Sequence, residues 1–403
     1  MSQPEQAEPA SVQALSARAA QSPESGIVEV ANYSRERQGV IPLWAGEGDL
    51  PTPAFICDVA SRALADGQTF YTYQRGIPPL RQALAEYTGW LYGRPFPAER
   101  FFVTGSGMQA IQIAVNLCAD PGDEIVYHSP AWPNLPAACG IAGVSAVPVA
   151  MDFTAAGWAL DIERLFAAVT PRTRAIFINS PSNPTGWMMP QADMDAVLAF
   201  CRARGIWIIA DEIYARFAFA NVRTGAHGRP LAPSFHDFIT PEDRVLFVNT
   251  FSKNWAMTGW RLGWIEAPET IGVKIENLVQ YSTSGVPAFL QSAAETALRQ
   301  GDAFAEQVIG DARRGREIIS AGLAQSGRCR FAPPDGAFYA FFAIDGEPDT
   351  DRLGLRLVDE AGIGMAPGRA FGEHGAGYMR LCFVRRPQGL QDAMRRLNAW
   401  LAR

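Results

Sequence analysis

The chain has 403 residues, 48% hydrophobic and 19% charged, with a net charge of −6. That balance excludes disorder and collagen-like repetition, and the negative charge argues against a broad nucleic-acid or anionic-membrane surface. Length alone gives a prior of two to three domains. No apolar run approaches the ~18 residues of a membrane span. The segment Met1 to Gln21 lacks an apolar core, which argues against secretion. Six cysteines (Cys57, Cys118, Cys139, Cys201, Cys329 and Cys382) lie far apart with no C-x-x-C pair, and read as free thiols of a reducing cytoplasm. The histidines show no H-E-x-x-H or similar spacing, so no metal site is expected.

In chain order, residues 1 to about 26 are polar and aperiodic and read as a loose arm. Apolar runs then predict strands at Phe101–Val103, Glu124–His128, Ser145–Val149, Ala175–Ile178, Ile206–Ala210, Val245–Asn249 and Leu262–Ile265. Amphipathic stretches lie between most of them, including Gln109–Leu117, Leu160–Val169 and Pro190–Arg204. This alternation predicts an α/β domain with a mainly parallel, seven-stranded sheet sandwiched by helices. Beyond Pro287 the spacing predicts one long helical stretch, Phe289 to about Ala324, within which a domain change is placed. A smaller α+β unit follows, with strands near Ala337–Ala343 and Tyr378–Val384.

Ligands of open parallel sheets bind beyond the carboxyl ends of the strands, and each end here carries polar residues. The first strand runs into Thr104-Gly105-Ser106-Gly107-Met108-Gln109-Ala110, small residues that leave helix N–H groups free for an anion. The Gly-x-Gly-x-x-Ala spacing also fits a dinucleotide fingerprint. That fingerprint expects an acid ending the next strand, where this chain has His128-Ser129. A single phosphate fits better. Another strand leads into Ser182-Asn183-Pro184-Thr185-Gly186, which by itself is also a good turn. The strand Ile206–Ala210 ends in Asp211-Glu212-Ile213-Tyr214, and an acid directly after apolar residues calls for a cationic partner.

Only two of the 35 basic residues are lysines, Lys253 and Lys274. Arginine stays protonated and cannot condense with an aldehyde, so a lysine kept in such a background is a candidate for chemistry. Lys274 lies in an amphipathic helical stretch and reads as solvated. Lys253 ends a strand, in Thr250-Phe251-Ser252-Lys253, with Arg261 eight residues on. A phosphate cradle, a lysine, a buried acid, an asparagine and a tyrosine are together what pyridoxal 5′-phosphate requires.

These motifs resemble the class I/II family of fold-type I aminotransferases, over about Ile41 to Val384. The resemblance implies Lys253 as the Schiff-base lysine, Asp211 as partner of the pyridine nitrogen, and Asn183 and Tyr214 as donors to the ring oxygen. It implies Ser106, Gly107, Met108, Thr250, Ser252 and Arg261 around the phosphate, and Trp132 stacked on the ring. Arg380 and Gly46 match contacts to the substrate α-carboxylate, beside Asn183. Tyr71 matches a tyrosine that reaches the neighbouring subunit's phosphate, implying a homodimer. The division implied is 1–45 for the arm and part of the small domain, 46–290 for the large cofactor domain and 291–403 for the small domain. Some dicarboxylate-specific relatives carry lysine where this chain has Met108, with Arg75 a candidate replacement, so aspartate specificity is in doubt and a neutral or aromatic substrate is as well supported. The activity implied is ping-pong transfer of an α-amino group to a 2-oxo acid in the cytoplasm, with no metal. The alternative on the same scaffold is β-elimination from sulfur amino acids.

Overall fold

The computed structural model describes residue 11 and residues 14–403. Its central sheet comprises β1 (Phe101–Thr104), β2 (Glu124–Ser129), β3 (Ser145–Ala150), β4 (Thr173–Asn179), β5 (Trp207–Asp211), β6 (Val245–Thr250) and β7 (Gly263–Glu266). Each of the seven expected strands is present, with ends within two residues of those expected. The order across the sheet is β1-β7-β6-β5-β4-β2-β3. Strand β7 opposes both of its neighbours and every other pairing is parallel.

Alternation along β5 sends Ile209 and Asp211 to one face and Ile208 and Ala210 to the other. The first face packs on the helices Gly107–Cys118 and Asn134–Ala142 through Ile111, Ala114 and Leu135. The second packs on the helix Gln191–Arg204 through Met194, Val197 and Leu198. Covering both faces is why the inner strands are apolar without interruption. Local chemistry sets the helix ends. Ser106 Oγ accepts from Gln109 N at 3.0 Å to start one helix, and Gly205, at φ 66°, stops another.

A second, antiparallel sheet is built around Tyr339–Ile344 and Met379–Cys382, with Cys329–Arg330 and Ala366–Pro367 at its edges. Helices Asp302–Gln325 and Pro387–Leu401 cover it through Ile319, Leu323, Leu390 and Leu397. The chain near Ile41 joins this unit, since Ile41 and Pro42 pair with Ile363 and Gly364. Of the expected loose arm, residues 1–10, 12 and 13 lie outside the described residues, while Ala17–Ala20 and Gly26–Arg35 are helical.

The long helix expected from Phe289 to about Ala324 is instead two, Ala288–Gln300 and Asp302–Gln325. They meet at Gly301, where a Cβ would stand 2.4 Å from Ala297 O and 2.7 Å from the Trp255 ring. Asp302 is held at the start of the second helix by Arg216 and Arg229, both at 2.7 Å. The apolar period runs through this break because both helices bury one face, so periodicity alone does not reveal it.

His236 is buried between Glu266, at 2.8 Å, and Glu212, at 3.3 Å. Burial alone would depress its pKa, but the two carboxylates outweigh burial and raise it to about 9. A folded pKa above the unfolded value gives stability that is complete below about pH 6.5 and is lost as the pH rises through 9. That contribution is on the order of 3 kcal/mol. Urea unfolding of the wild type should therefore weaken between pH 7 and pH 10, while His236→Gln, weaker at pH 7, should change much less over the same range. A gap between the two proteins that stays constant with pH would refute this account of His236.

Candidate active site

The carboxyl ends of β1, β2, β4, β5 and β6 open onto one cavity of about 420 Å³, a size suited to a cofactor with a small substrate. From β6 come Thr250, Ser252 and Lys253. The Thr250 and Ser252 hydroxyls lie 2.9 Å apart, and Thr250 also donates to Leu262 O at 2.8 Å, which fixes both at the rim. Lys253 Nζ donates to Gly46 O at 2.6 Å and stands 5.9 Å and 5.8 Å from the ring centres of Tyr214 and Phe338. Burial lowers its pKa to about 8, so the free amine is accessible near neutral pH.

Asp211, at the end of β5, is 2% exposed, and among the described residues its carboxylate has one long hydrogen bond, from Ile213 N at 3.4 Å. Burial raises its pKa to about 7. Tyr214, also buried, shares a 2.8 Å hydrogen bond with the Tyr339 hydroxyl, and burial pushes its phenol well up. Asn183 follows β4. Its N–H donates to Asn179 Oδ1 at 2.8 Å, and its own Oδ1 accepts from Arg380 Nη1 at 3.3 Å.

Arg380 reaches the cavity from the second sheet. It is 2% exposed, with its guanidinium 4.7 Å from the Tyr339 ring centre and 5.0 Å from that of Phe371. It also donates to Trp44 O, but its Nε is buried without a partner among the described residues. An orphan donor of this kind is costly unless a ligand oxygen satisfies it. Gly46 lies opposite, and only glycine fits, since a Cβ there would stand 2.4 Å from the Tyr339 hydroxyl.

The remaining wall begins at β1. Ser106 caps the helix that starts at Gly107, and Gly107 and Met108 line the cavity with Trp132 from beyond β2. The helix start packs tightly on β7, for a Cβ at Gly263 would meet Gly107 N at 2.8 Å. Arg261, at φ 54°, lines the same end of the cavity and donates to Thr258 O at 2.6 Å.

Four residues fall elsewhere: Ser106, whose hydroxyl is used in capping the helix, borders the cavity wall without lining it, and three others lie further off. Tyr71 is 92% exposed and does not line this cavity. Arg75 pairs with Glu276 at 2.8 Å and is likewise absent from the lining, so it is not a cation of this chain's own cavity. Lys274 is exposed on the helix Gly272–Thr283. Sequence reasoning missed Tyr339, Asn179, Trp44, Ile27 and Asn134. Each supports or lines the cavity; Trp44 stands two residues before Gly46 and Asn179 four before Asn183, but what they contribute is set by tertiary contact, and Tyr339, Ile27 and Asn134 stand in no motif with distinctive spacing. Among the described residues, no cluster of potential metal ligands is present.

The model of the family "Aminotransferase class I and II" matches residues 38–397. The chain belongs to that family. Arginine–pyruvate transaminase AruH of Pseudomonas aeruginosa is 34% identical over 370 residues, covering 90% of this chain and 91% of the relative. The aspartate/prephenate aminotransferase of Thermus thermophilus is 34% identical over 373 residues, covering 91% and 93%. The solved aspartate aminotransferase of Thermotoga maritima superposes with a TM-score of 0.88 at 28% identity, covering 96% of this chain and all of that one. The fold is therefore that of the fold-type I aminotransferases, and the protein is a pyridoxal-phosphate-dependent aminotransferase acting on amino and 2-oxo acids.

The residues present fit that cofactor. A buried carboxylate facing an open cavity, with one weak hydrogen bond, suits a pyridinium N–H. A helix N-terminus beside hydroxyls and an arginine suits a dianionic phosphate.

Proposed function

We propose that Lys253 carries the cofactor covalently and that Asp211, Asn183, Tyr214, Trp132, Ser106, Gly107, Met108, Thr250, Ser252 and Arg261 hold it. The observation that carries this reading is the buried, nearly bare Asp211 carboxylate across one cavity from Lys253, the lysine among its lining residues. Bound pyridoxal phosphate supplies an aldehyde that captures amines and a cationic ring that takes up the electron pair released at the substrate's Cα. Asp211 keeps the ring nitrogen protonated by charge pairing. Asn183 and Tyr214 present polar groups to the ring oxygen, and Trp132 covers the ring face. Ser106, Thr250, Ser252 and Arg261 orient the phosphate.

Once the substrate amine has displaced Lys253 from the cofactor, the freed Nζ, with a pKa lowered to about 8, would take the proton from substrate Cα and deliver it to the cofactor's aldehyde-derived carbon, and with the second substrate it would carry a proton the opposite way. One site thus serves an amino acid and then a 2-oxo acid in turn. Arg380 grips the α-carboxylate through the donors that protein atoms leave free, with Asn183 and the Gly46 backbone beside it.

For the donor we propose a neutral, apolar or aromatic amino acid. The three cations lining the cavity, Lys253, Arg261 and Arg380, all have other roles in this reading. The wall near Met108 is made by Ile111, Trp132 and Asn134, whose Nδ2 lies 3.4 Å from Met108 Sδ. The relatives' names span arginine, aspartate and prephenate, so the family leaves the donor open. We propose a homodimer in which Tyr71 reaches the neighbouring site. The exposed Phe70, Tyr71, Tyr73 and Tyr281, at 63–92% exposure, support a covered surface. Residues 46–290 are read as the cofactor domain, and 1–45 with 291–403 as arm and small domain. Six free thiols, and no helix among the described residues able to cross a membrane, support a cytoplasmic enzyme.

Borohydride reduction followed by peptide mapping should place the cofactor on Lys253, and Lys253→Ala should lose the covalent link while Lys274→Ala keeps it. Label on Lys274 would overturn the site. Arg380→Ala should retain bound cofactor yet lower kcat/KM for all amino-acid and oxo-acid substrates together, by roughly 30- to 5000-fold. Loss confined to acidic substrates would reassign Arg380 to side-chain recognition. Wild-type kcat/KM should favour phenylalanine, leucine or methionine over aspartate, and Met108→Lys should shift that ratio toward aspartate by about tenfold. A wild-type preference for aspartate would exclude the proposed donor class.

A further inference from the structure

Asp211 ends strand β5 and Glu212 follows it directly, yet of the two adjacent carboxylates only Asp211 lines the cavity. Alternation sends Glu212 to the opposite face of the sheet, where it is 3% exposed. There Glu212 is strongly tied. Its Oε2 accepts from Ser234 Oγ at 2.6 Å and from the Tyr92 hydroxyl at 3.3 Å, and lies 3.3 Å from His236 Nδ1. Its Oε1 accepts from Phe235 N at 3.2 Å.

The ties continue across the sheet. His236 Nε2 lies 2.8 Å from Glu266 Oε2, and Glu266 Oε1 accepts from Arg100 Nε at 3.0 Å. The imidazole is stacked between Phe247, at 3.6 Å, and Tyr92, at 4.2 Å. Arg100, Glu266, His236 and Glu212 are all at most 5% exposed. Their charges alternate and cancel when His236 is protonated, which is what makes such burial tolerable. Asp211 by contrast has its single 3.4 Å contact. Its own bonds do not determine its direction, whereas those of its neighbour are over-determined. A slip of one residue would exchange the two carboxylates between faces.

We infer that Glu212 is a positioning residue: the buried chain Arg100–Glu266–His236–Glu212 holds the end of β5 in the register that aims Asp211 at the cofactor. The inference rests on the role proposed above for Asp211. The main chain supports it from the other side, because the Asp211 carbonyl accepts from Asn179 Nδ2 at 3.1 Å and Ser180 N at 3.2 Å.

The test is a double-mutant cycle on cofactor affinity, measured by dialysis of pyridoxal phosphate from the wild type, Asp211→Asn, Glu212→Gln and the double variant, with thermal unfolding in parallel. Asp211→Asn should weaken cofactor binding by about tenfold or more, and Glu212→Gln by about fivefold. In the double variant Glu212→Gln should add less than about twofold, because it acts through a carboxylate that is already gone. If Glu212→Gln lowers the unfolding temperature but leaves affinity unchanged, or if the two losses simply multiply, the residue is structural and the inference fails. If Asp211→Asn itself leaves affinity unchanged, the reading of Asp211 fails first. Should Glu212→Gln not fold, Ser234→Ala removes one bond to the same carboxylate and enters the same cycle. A weakening seen while Asp211 is present and lost in the Asp211→Asn background supports the inference, and equal effects in both backgrounds overturn it.

Discussion

The carboxylate of Asp211, buried without an opposite charge at its side, is the constraint around which the cavity is arranged. The apolar packing that makes the sheet stable also removes water from the strand end, so charge there is costly. The same desolvation acts on Lys253 in the opposite sense. One group is raised to about 7 and the other lowered to about 8, so both lie close to neutrality across a single cavity. In the reading proposed above, a cationic ring would convert the cost of burying the Asp211 carboxylate into attraction, while the lowered pKa of Lys253 favours its free amine.

Among the hydrogen bonds that join the sheet rim to the rest of the chain, three meet at the cavity. Lys253 reaches Gly46 O, Tyr214 meets the Tyr339 hydroxyl, and Asn183 meets Arg380. The first partner comes from the N-terminal segment and the other two from the second sheet. The cavity therefore exists only where both units are docked. The groups read as gripping the substrate lie mainly on one side of that junction, and those read as gripping the cofactor lie on the other.

Much of this was legible in the residues. The strands announced themselves through β-branched runs, and Lys253 stood out because arginine had replaced nearly every other cation. Asp211 was visible as an acid where an apolar strand ends. What stayed hidden depended on tertiary contact. Tyr339 lies in an ordinary aromatic strand, and nothing in its neighbours marks the 2.8 Å bond to Tyr214. Trp44 contributes a carbonyl, which has no sequence signature. The break at Gly301 escaped because two amphipathic helices in succession keep one apolar period. Glu212 adjoins Asp211 in the sequence, and only the fold separates the two carboxylates by the thickness of the sheet.

Strand β7 alone runs against the others, and this decides how the rim can be furnished. Parallel neighbours need a crossover that leaves the rim and returns at the far end of the sheet. Because β7 is reversed, residues 251–262 pass from the end of β6 to the start of β7 without leaving the cofactor side. Lys253 and Arg261 thus ride on one short connection, braced by Phe251 N donating to Leu262 O and by the Trp260 indole donating to Thr52. The groups proposed as attachment point and anion clamp share a single brace and keep their spacing when other parts of the molecule shift, so any displacement of the cofactor's tail would carry its reactive end with it.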